Sequence, residues 1–278
     1  MNYNFLCPLC HTSDQLSRFQ WGTYSINHCN TCELDYCPKM IEKEIGGNSS
    51  PVNLQGINMM SELFHRTNKI AMSFSIKRKK IYDNLLNNNF SKILEIGCGP
   101  GVFYEPWKGL NIEWVGIDIN PYWKEFGENN KVPISNTPLD AITEKFDVVT
   151  AHQVIEHVED PLTFMKKIIT LVKPGGIIHL ELPNQKSLTA KLRKISSRFS
   201  NDYGFIQPPM HLRAYCDKTI EYLFNSLNLE SKMIFVCGNT DKIWGQVREY
   251  NLTQKFLYST FGKIGMGSLL VGIAQIKS

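Results

Sequence analysis

From Lys92 onward, short apolar runs alternate with longer stretches of helical period. Ile93-Leu94-Glu95-Ile96, Trp114-Val115-Gly116-Ile117, Phe146-Asp147-Val148-Val149 and Ile177-Ile178-His179-Leu180 are short and almost continuously apolar, which predicts buried strands. A helix is expected between the third and fourth runs. Asp160 is placed as its N-cap, Pro161 at its first position, and Phe164, Ile168 and Leu171 along its apolar stripe. Lys173-Pro174-Gly175-Gly176 predicts the turn that ends it. Strands separated by helices predict an α/β fold, a doubly wound parallel sheet covered on both faces. Two further strands, Met233 to Cys237 and Leu269 to Gln275, break the alternation around a polar, aromatic-rich excursion.

The flanking pattern differs. Glu62 to Leu86 reads as a helix, with Ile70, Phe74, Lys77 and Ile81 at three-to-four spacing and a basic cluster, Lys77 to Lys80, on what reads as a solvated face. Gly46-Gly47-Asn48-Ser49-Ser50-Pro51 reads as a linker. Leu188, Leu192, Ile195 and Phe199 recur at helical spacing among Lys186, Lys191, Arg193, Lys194 and Arg198, so an amphipathic helix with a positive face is expected ahead of the Pro208-Pro209-Met210-His211 turn.

Composition narrows the class without choosing within it. In a chain of 278 residues, 42% hydrophobic and 20% charged residues describe an ordinary globular protein and exclude wholesale disorder. A net charge of +4 permits an anionic partner without requiring one. The Met1 to Phe5 start lacks the pattern of an export signal, and the longest apolar run, Leu269 to Ile276, falls well short of the ~20 residues of a membrane span. A cytoplasmic protein without a transmembrane segment is expected, with cysteines that bind metal or pack rather than form disulfides.

Residues 1–38 hold five of the eight cysteines. Cys7-Pro8-Leu9-Cys10 and Cys29-Asn30-Thr31-Cys32 are two CxxC pairs eighteen residues apart, the spacing of a zinc ribbon. Four thiolates leave no open coordination position, so a zinc ion held by Cys7, Cys10, Cys29 and Cys32 is expected to be structural. His11 and His28 stand beside the pairs as alternative ligands, and Cys37 is spare.

Glu95-Ile96-Gly97-Cys98-Gly99-Pro100-Gly101 follows the first strand. Glycines at alternate positions allow a sharp turn and a close ligand approach. The spacing is GxGxG, with Val102 where a dinucleotide fingerprint places a later glycine. Glu95, directly before the glycines, would repel a pyrophosphate and attract an ammonium. Asp118 closes the second strand about twenty residues on, where an acid can grip two ribose hydroxyls. This pair fits the amino end and the sugar of S-adenosylmethionine.

These segments, with Val154-Ile155-Glu156-His157-Val158-Glu159-Asp160-Pro161 and Leu171-Val172-Lys173-Pro174-Gly175-Gly176, resemble the ordered motifs of class I S-adenosylmethionine-dependent methyltransferases over about residues 60–278. The branch they resemble includes the ubiquinone-biosynthesis O-methyltransferase. The resemblance implies a Rossmann-like seven-stranded methyltransferase sheet whose last strand is antiparallel, and an adenine pocket near Asn136 to Leu139. The cofactor-binding residues expected are Glu95, Gly97, Cys98, Gly99, Gly101, Asp118, Ile119, His152 and Gln153.

His152, Gln153, Glu156 and His157 follow the third strand, at the switch point where such sheets bind ligands. If this stretch turns helically, Gln153, Glu156 and His157 share one face. Relatives of this branch carry an ExxEH motif and a distant histidine that together hold a divalent metal. Here Gln153 replaces the first carboxylate and His211 is the distant candidate. Glu156, His157 and His211 are therefore the expected catalytic residues. Three roles stay open: holding a cation such as Mg, acting as a general base without metal, or bracing the loop.

The expected division is a zinc ribbon over 1–45, a linker and helical lid over 46–90, and a methyltransferase core over 91–278 with a lid insertion at about 185–215. The expected reaction is O-methylation of a saccharide or other small hydroxylated metabolite, possible phosphate-bearing or nucleotide-linked sugars included. An RNA methyltransferase using the ribbon to grip RNA is the first alternative. Cys7 to Cys37 contains only Arg18 among Lys and Arg, which argues against a nucleic-acid partner. A non-catalytic cofactor-binding scaffold is the second alternative.

Overall fold

The apolar runs become the strands of one large sheet in the computed structural model, which describes residues 6–21, 24–38, 62, 64, 68–197, 203–208, 211–247 and 250–277. The linker expected at Gly46 to Pro51 lies outside the described residues, as do Phe199, Pro209 and Met210. In the large sheet are β4 (Lys92–Ile96), β5 (Glu113–Ile117), β6 (Ile134–Ser135), β7 (Phe146–His152), β8 (Val172–Pro183), β10 (Glu230–Cys237) and β11 (Leu269–Gln275). Their order is β10-β11-β8-β7-β4-β5-β6. β4 lies parallel to β5 and β7, and β7 parallel to β8, whereas β11 runs antiparallel to both β8 and β10. The seven-stranded sheet with its reversed last strand is thus present.

Alternation along the strands fills both faces. Leu94, Val149, Ile178 and Leu180 pack beneath α4 (Pro161–Leu171) and α6 (Asp217–Ser226). Ile93, Val148, Ile177 and Val271 pack beneath α1 (Asn68–Leu85), α2 (Tyr104–Gly109) and α3 (Pro121–Asn130). Asp160 caps α4 as expected, its Oδ1 accepting from the Thr163 amide at 2.9 Å. Met165, rather than the half-buried Phe164, heads the buried stripe with Ile168 and Leu171.

Two expectations need correction here. Lys173 to Gly176 is no separate turn: it bulges within β8 between the Phe146↔Val172 and Val148↔Ile177 pairs, with Gly175 at φ 73°. The Lys77–Lys80 cluster is not wholly solvated either. Arg78 lies four residues from both Phe74 and Tyr82 on the buried side of α1 and is 2% exposed.

The N-terminal segment builds a second sheet from β1 (Gln15–Trp21), β2 (Tyr24–Cys29) and β3 (Asp35–Tyr36). Its fourth strand comes from the far end of the chain. β9 (Arg213–Ala214) pairs antiparallel with β3 through Asp35↔Ala214 and Tyr36↔Arg213. Two further helices are α5 (Leu188–Ser196) and α7 (Leu252–Lys263). Among the described residues, no helix is long and apolar enough to cross a membrane.

Candidate active site

The glycine loop leaves β4 in a conformation that only glycine adopts freely. Gly97, Gly99 and Gly101 have φ of 68°, 52° and 70°. Space is as limiting as φ: a Cβ on Gly97 would lie 2.5 Å from Val154 Cγ2, and one on Gly101 2.7 Å from Val132 Cγ1. The Gly97 and Cys98 amides both donate to the Ile117 carbonyl, at 2.8 and 3.1 Å, tying the loop to the end of β5.

Two acids bracket this loop. Glu95 is 5% exposed, and burial raises its pKa to about 7 although the Trp114 indole donates to it at 2.7 Å. Asp118 accepts from the Gly99 amide through Oδ2 and from the Asn120 amide through Oδ1, both at 2.9 Å. Burial raises its pKa and these hydrogen bonds oppose the rise. The buried Cys98 thiol is pushed well up by burial and by both acids, so it lines the loop as a thiol. Ile119 is 96% exposed just beyond Asp118, an apolar side chain free to cover a flat ligand.

His152 ends β7 and opens a buried polar chain that sequence reasoning did not find. Its Nε2 lies 3.4 Å from His179 Nδ1, and the Tyr82 hydroxyl lies 2.7 Å from that same nitrogen. His179 Nε2 approaches Glu181 at 3.1 Å, and the Arg78 guanidinium pairs with Glu181 at 2.7 Å. Arg78 also faces the rings of Phe74, Phe103 and Trp244. Burial holds the His152 imidazole down at about 3, so it is neutral. The available signal was Arg78 at the four-residue spacing of Phe74 and Tyr82, and two polar residues, His179 and Glu181, alternating in an apolar strand.

Gln153, Glu156 and His157 do not share a helical face. Gln153 adopts φ 54°, and only Ile155–His157 form a short 3-10 turn. That turn still brings Glu156, His157 and His211 together, each offering a ligand atom within 4.8 Å of the others. The histidine rings stand 4.6 Å apart. Glu156 is 1% exposed, neither carboxylate oxygen has a hydrogen-bond partner among the described residues, and burial pushes its pKa to about 8. Burial, then the neighbouring His157, hold His211 down at about 4. The Leu212 amide donating to the Glu156 carbonyl at 3.0 Å and the Tyr215 hydroxyl donating to the Ile155 carbonyl at 3.2 Å fix the turn.

The cysteine pairs fold alike. In each, the first cysteine's carbonyl accepts from the amide four residues on, at 2.9 Å, and His11 and Glu33 occupy equivalent positions at φ 56°. Cys7 and Cys32 sulfurs lie 3.5 Å apart, Cys10 and Cys29 sulfurs 3.3 Å, and all four fall within 4.8 Å of one another. A tetrahedral ion about 2.3 Å from each sulfur needs them about 3.8 Å apart, so the donor set fits zinc. His28 is turned away to Asp35 at 2.7 Å.

The basic segment from Lys186 onward is not wholly a free positive face. Lys186 pairs with Glu33 and Asp217 at 2.8 and 2.9 Å, and Lys194 pairs with Asp35 at 2.6 Å, so both dock on or beside the N-terminal sheet. Two apolar residues of α5 face outward, with Leu192 57% and Ile195 75% exposed, while Ala190 is buried. Arg213, 4% exposed, fastens the same junction by donating to the carbonyls of Cys37, Leu212 and Glu159 at 2.6–2.9 Å.

Comparison with known proteins gives this geometry a family. The chain is 29% identical over 163 residues to the ubiquinone biosynthesis O-methyltransferase of Cereibacter sphaeroides, covering 55% of this chain and 52% of that one. It therefore spans about half the length of the curated relatives it matches. In fold it is similar to a SAM dependent methyltransferase from Archaeoglobus fulgidus (TM-score 0.53, 19% identity, 78% of this chain and 98% of that chain). It is also similar to the plantazolicin methyltransferase BamL, solved with a triazolic desmethylPZN analog and SAH (TM-score 0.57, 16% identity, 82% and 92%). The family described as "Methyltransferase domain" matches residues 63–231, more than half of the chain, and the protein belongs to that family of S-adenosylmethionine-dependent methyltransferases.

Proposed function

We propose that the protein transfers the methyl group of S-adenosylmethionine to a hydroxyl oxygen of a saccharide or other small hydroxylated metabolite. The observation that carries this reading is the pair Glu95 and Asp118 on either side of three left-handed glycines. Glu95 receives the donor's ammonium, Asp118 its ribose hydroxyls, and the bare glycine backbone admits the chain between them, with Cys98, Ile119, His152 and Gln153 around it. The O-methyltransferase name of the curated relatives favours oxygen as the atom methylated.

In the transfer the acceptor oxygen forms a bond to the methyl carbon as the carbon–sulfur bond breaks, and the electron pair stays on sulfur. The acceptor proton goes to His211. Its Nδ1 lies 3.0 Å from the Phe205 carbonyl, to which it donates, so Nε2 is left as the acceptor on an imidazole that is neutral at pH 7. As an alternative to that base role, Glu156, His157 and His211 fit a divalent cation, Mg included, because the Glu156 carboxylate is buried without a partner among the described residues beside two imidazoles. Such an ion, when bound, would acidify the acceptor hydroxyl. Cys7, Cys10, Cys29 and Cys32 hold a structural zinc.

The test is release of S-adenosylhomocysteine across hydroxylated sugars and nucleotide-sugars, with and without EDTA. Turnover is expected on at least one, and His211→Ala should lower its rate on the order of 10²-fold while product affinity stays within about twofold. Tight cofactor binding with no turnover on any acceptor would support a scaffold instead.

A further inference from the structure

A cavity of about 820 Å³ lies between α1, α7 and the loop that follows β10. Its size suits a small molecule rather than a polymer groove. The register places it on the donor side of the sheet. Cys237 ends β10 opposite Leu269, Leu269 lies opposite Pro183, and His152 lies beside Glu181, so β10, β8 and β7 all end at the edge that carries the glycine loop. Phe74 forms part of the cavity wall and contacts Arg78, which stacks on Phe103 just after that loop. α7 closes the other side so tightly that a Cβ on Gly238 would lie 2.0 Å from the Tyr258 carbonyl oxygen.

The lining carries an unbalanced charge. Lys69, Lys77, Lys242, Lys255 and Lys263 all face the cavity, and among the described residues none has a carboxylate within ion-pair distance. Elsewhere lysines on this protein pair readily, as Lys92, Lys186 and Lys194 do. The one acid in the wall, Asp241, already accepts from the Ile243 and Trp244 amides at 2.8 and 2.9 Å. Thr240 Oγ1 is buried in the same lining without a hydrogen-bond partner. Ile70, Phe74 and Phe256 supply apolar surface between the charges. Five ammonium groups, of which Lys77 already donates to the Lys242 carbonyl at 2.8 Å, and an unsatisfied hydroxyl around an apolar hollow are complementary to a multiply charged oxyanion on an otherwise apolar or flat body.

We propose that this cavity holds the phosphate-bearing part of the acceptor, with the hydroxyl to be methylated directed along the sheet edge toward the donor loop. The basic segment at Lys186 to Arg198, where the sequence suggested such recognition, has Lys186 and Lys194 engaged with acids of the chain itself. The proposal rests on the methyltransferase reading for its chemistry but not for binding, and the two are tested separately.

The phosphate can belong to a nucleotide or to a lipid headgroup. Calorimetry on the full chain saturated with S-adenosylhomocysteine would compare UDP with uridine, and dihexanoyl phosphatidic acid with dihexanoylglycerol. In one pair the phosphorylated member is expected to bind at least about tenfold more tightly, and that pair identifies the source. The variant Lys69→Gln/Lys255→Gln/Lys263→Gln, changed only at exposed side chains, should weaken that member about tenfold and leave S-adenosylhomocysteine affinity unchanged. If the triple variant lost product binding, Lys255→Gln/Lys263→Gln would take its place. No phosphate-dependent gain in either pair, or full affinity in a folded variant, would overturn the proposal. Failure of S-adenosylhomocysteine itself to bind the wild type would instead overturn the donor-site reading.

Discussion

The proposed donor side of the site and its proposed acceptor side are built in opposite ways. Glu95, the three glycines and Asp118 all lie at the ends of two adjacent strands or in the loop that follows the first, and short-range bonds such as Gly99 to Asp118 fix them. The acceptor side is collected from across the chain. Arg78, His179, Glu181 and Trp244 meet in one buried cluster, and Glu156 and His157 meet His211 in another. The contrast teaches that a donor common to a family can be gripped by a contiguous motif. An acceptor peculiar to one member is met by groups whose only relation is the fold.

The comparison breaks hardest at Arg78. Arg78→Met strands the buried Glu181 carboxylate and should cost about 3–5 kcal/mol of stability in urea denaturation. Arg78→Met/Glu181→Gln should recover most of that loss. A single variant as stable as wild type would mean that the acceptor side is no more interlocked than the donor side. Asp118→Ala should do the reverse, weakening S-adenosylhomocysteine binding by about 1–3 kcal/mol in calorimetry with little change in melting.

Removing the proposed zinc from the four cysteines should separate the sides further. Because β9 joins that sheet to the turn carrying Glu156, chelation is expected to lower turnover about tenfold while donor affinity stays within about twofold. Elemental analysis should find one zinc per chain before treatment. A further test concerns pH. Burial raises Glu95 from 4.5 to about 7, so its carboxylate fills in as pH rises toward 7. Donor affinity should tighten by up to about tenfold per unit over that range and level off above it. The sign for stability is opposite: the folded protein keeps the proton that the unfolded chain releases, so the ligand-free protein loses stability between about pH 4.5 and 7. Glu95→Gln should flatten both profiles.

Much of the donor side was legible because its constraints are local. Alternate glycines need left-handed φ and space, and the acid before them and the acid ending the next strand follow from one ligand's charges. The strands were legible for the same reason, since a buried strand advertises itself in a handful of consecutive residues. Arg78 was misread because spacing alone does not say that Glu181, over a hundred positions away, neutralises it. Lys186 and Lys194 were read as a free positive face because their partners, Glu33 and Asp35, lie in a segment with its own pattern. The Lys173–Gly176 turn was misplaced because a bulge and a turn use the same residues. His211 was picked from resemblance, and only the fold shows which of its nitrogens points to a carbonyl.

The short strand contributed by Arg213 and Ala214 also bears on how the chain is made. The two cysteine knuckles can close as soon as they leave the ribosome, but the Arg213 guanidinium that seals Cys37 arrives 176 positions later. At about 5–20 residues per second, that leaves roughly 10–35 s during which the nascent N-terminal sheet has an unpaired edge. A ribosome stalled before residue 213 should therefore hold this edge open to added β-strand peptides, and translation past it should close that opening.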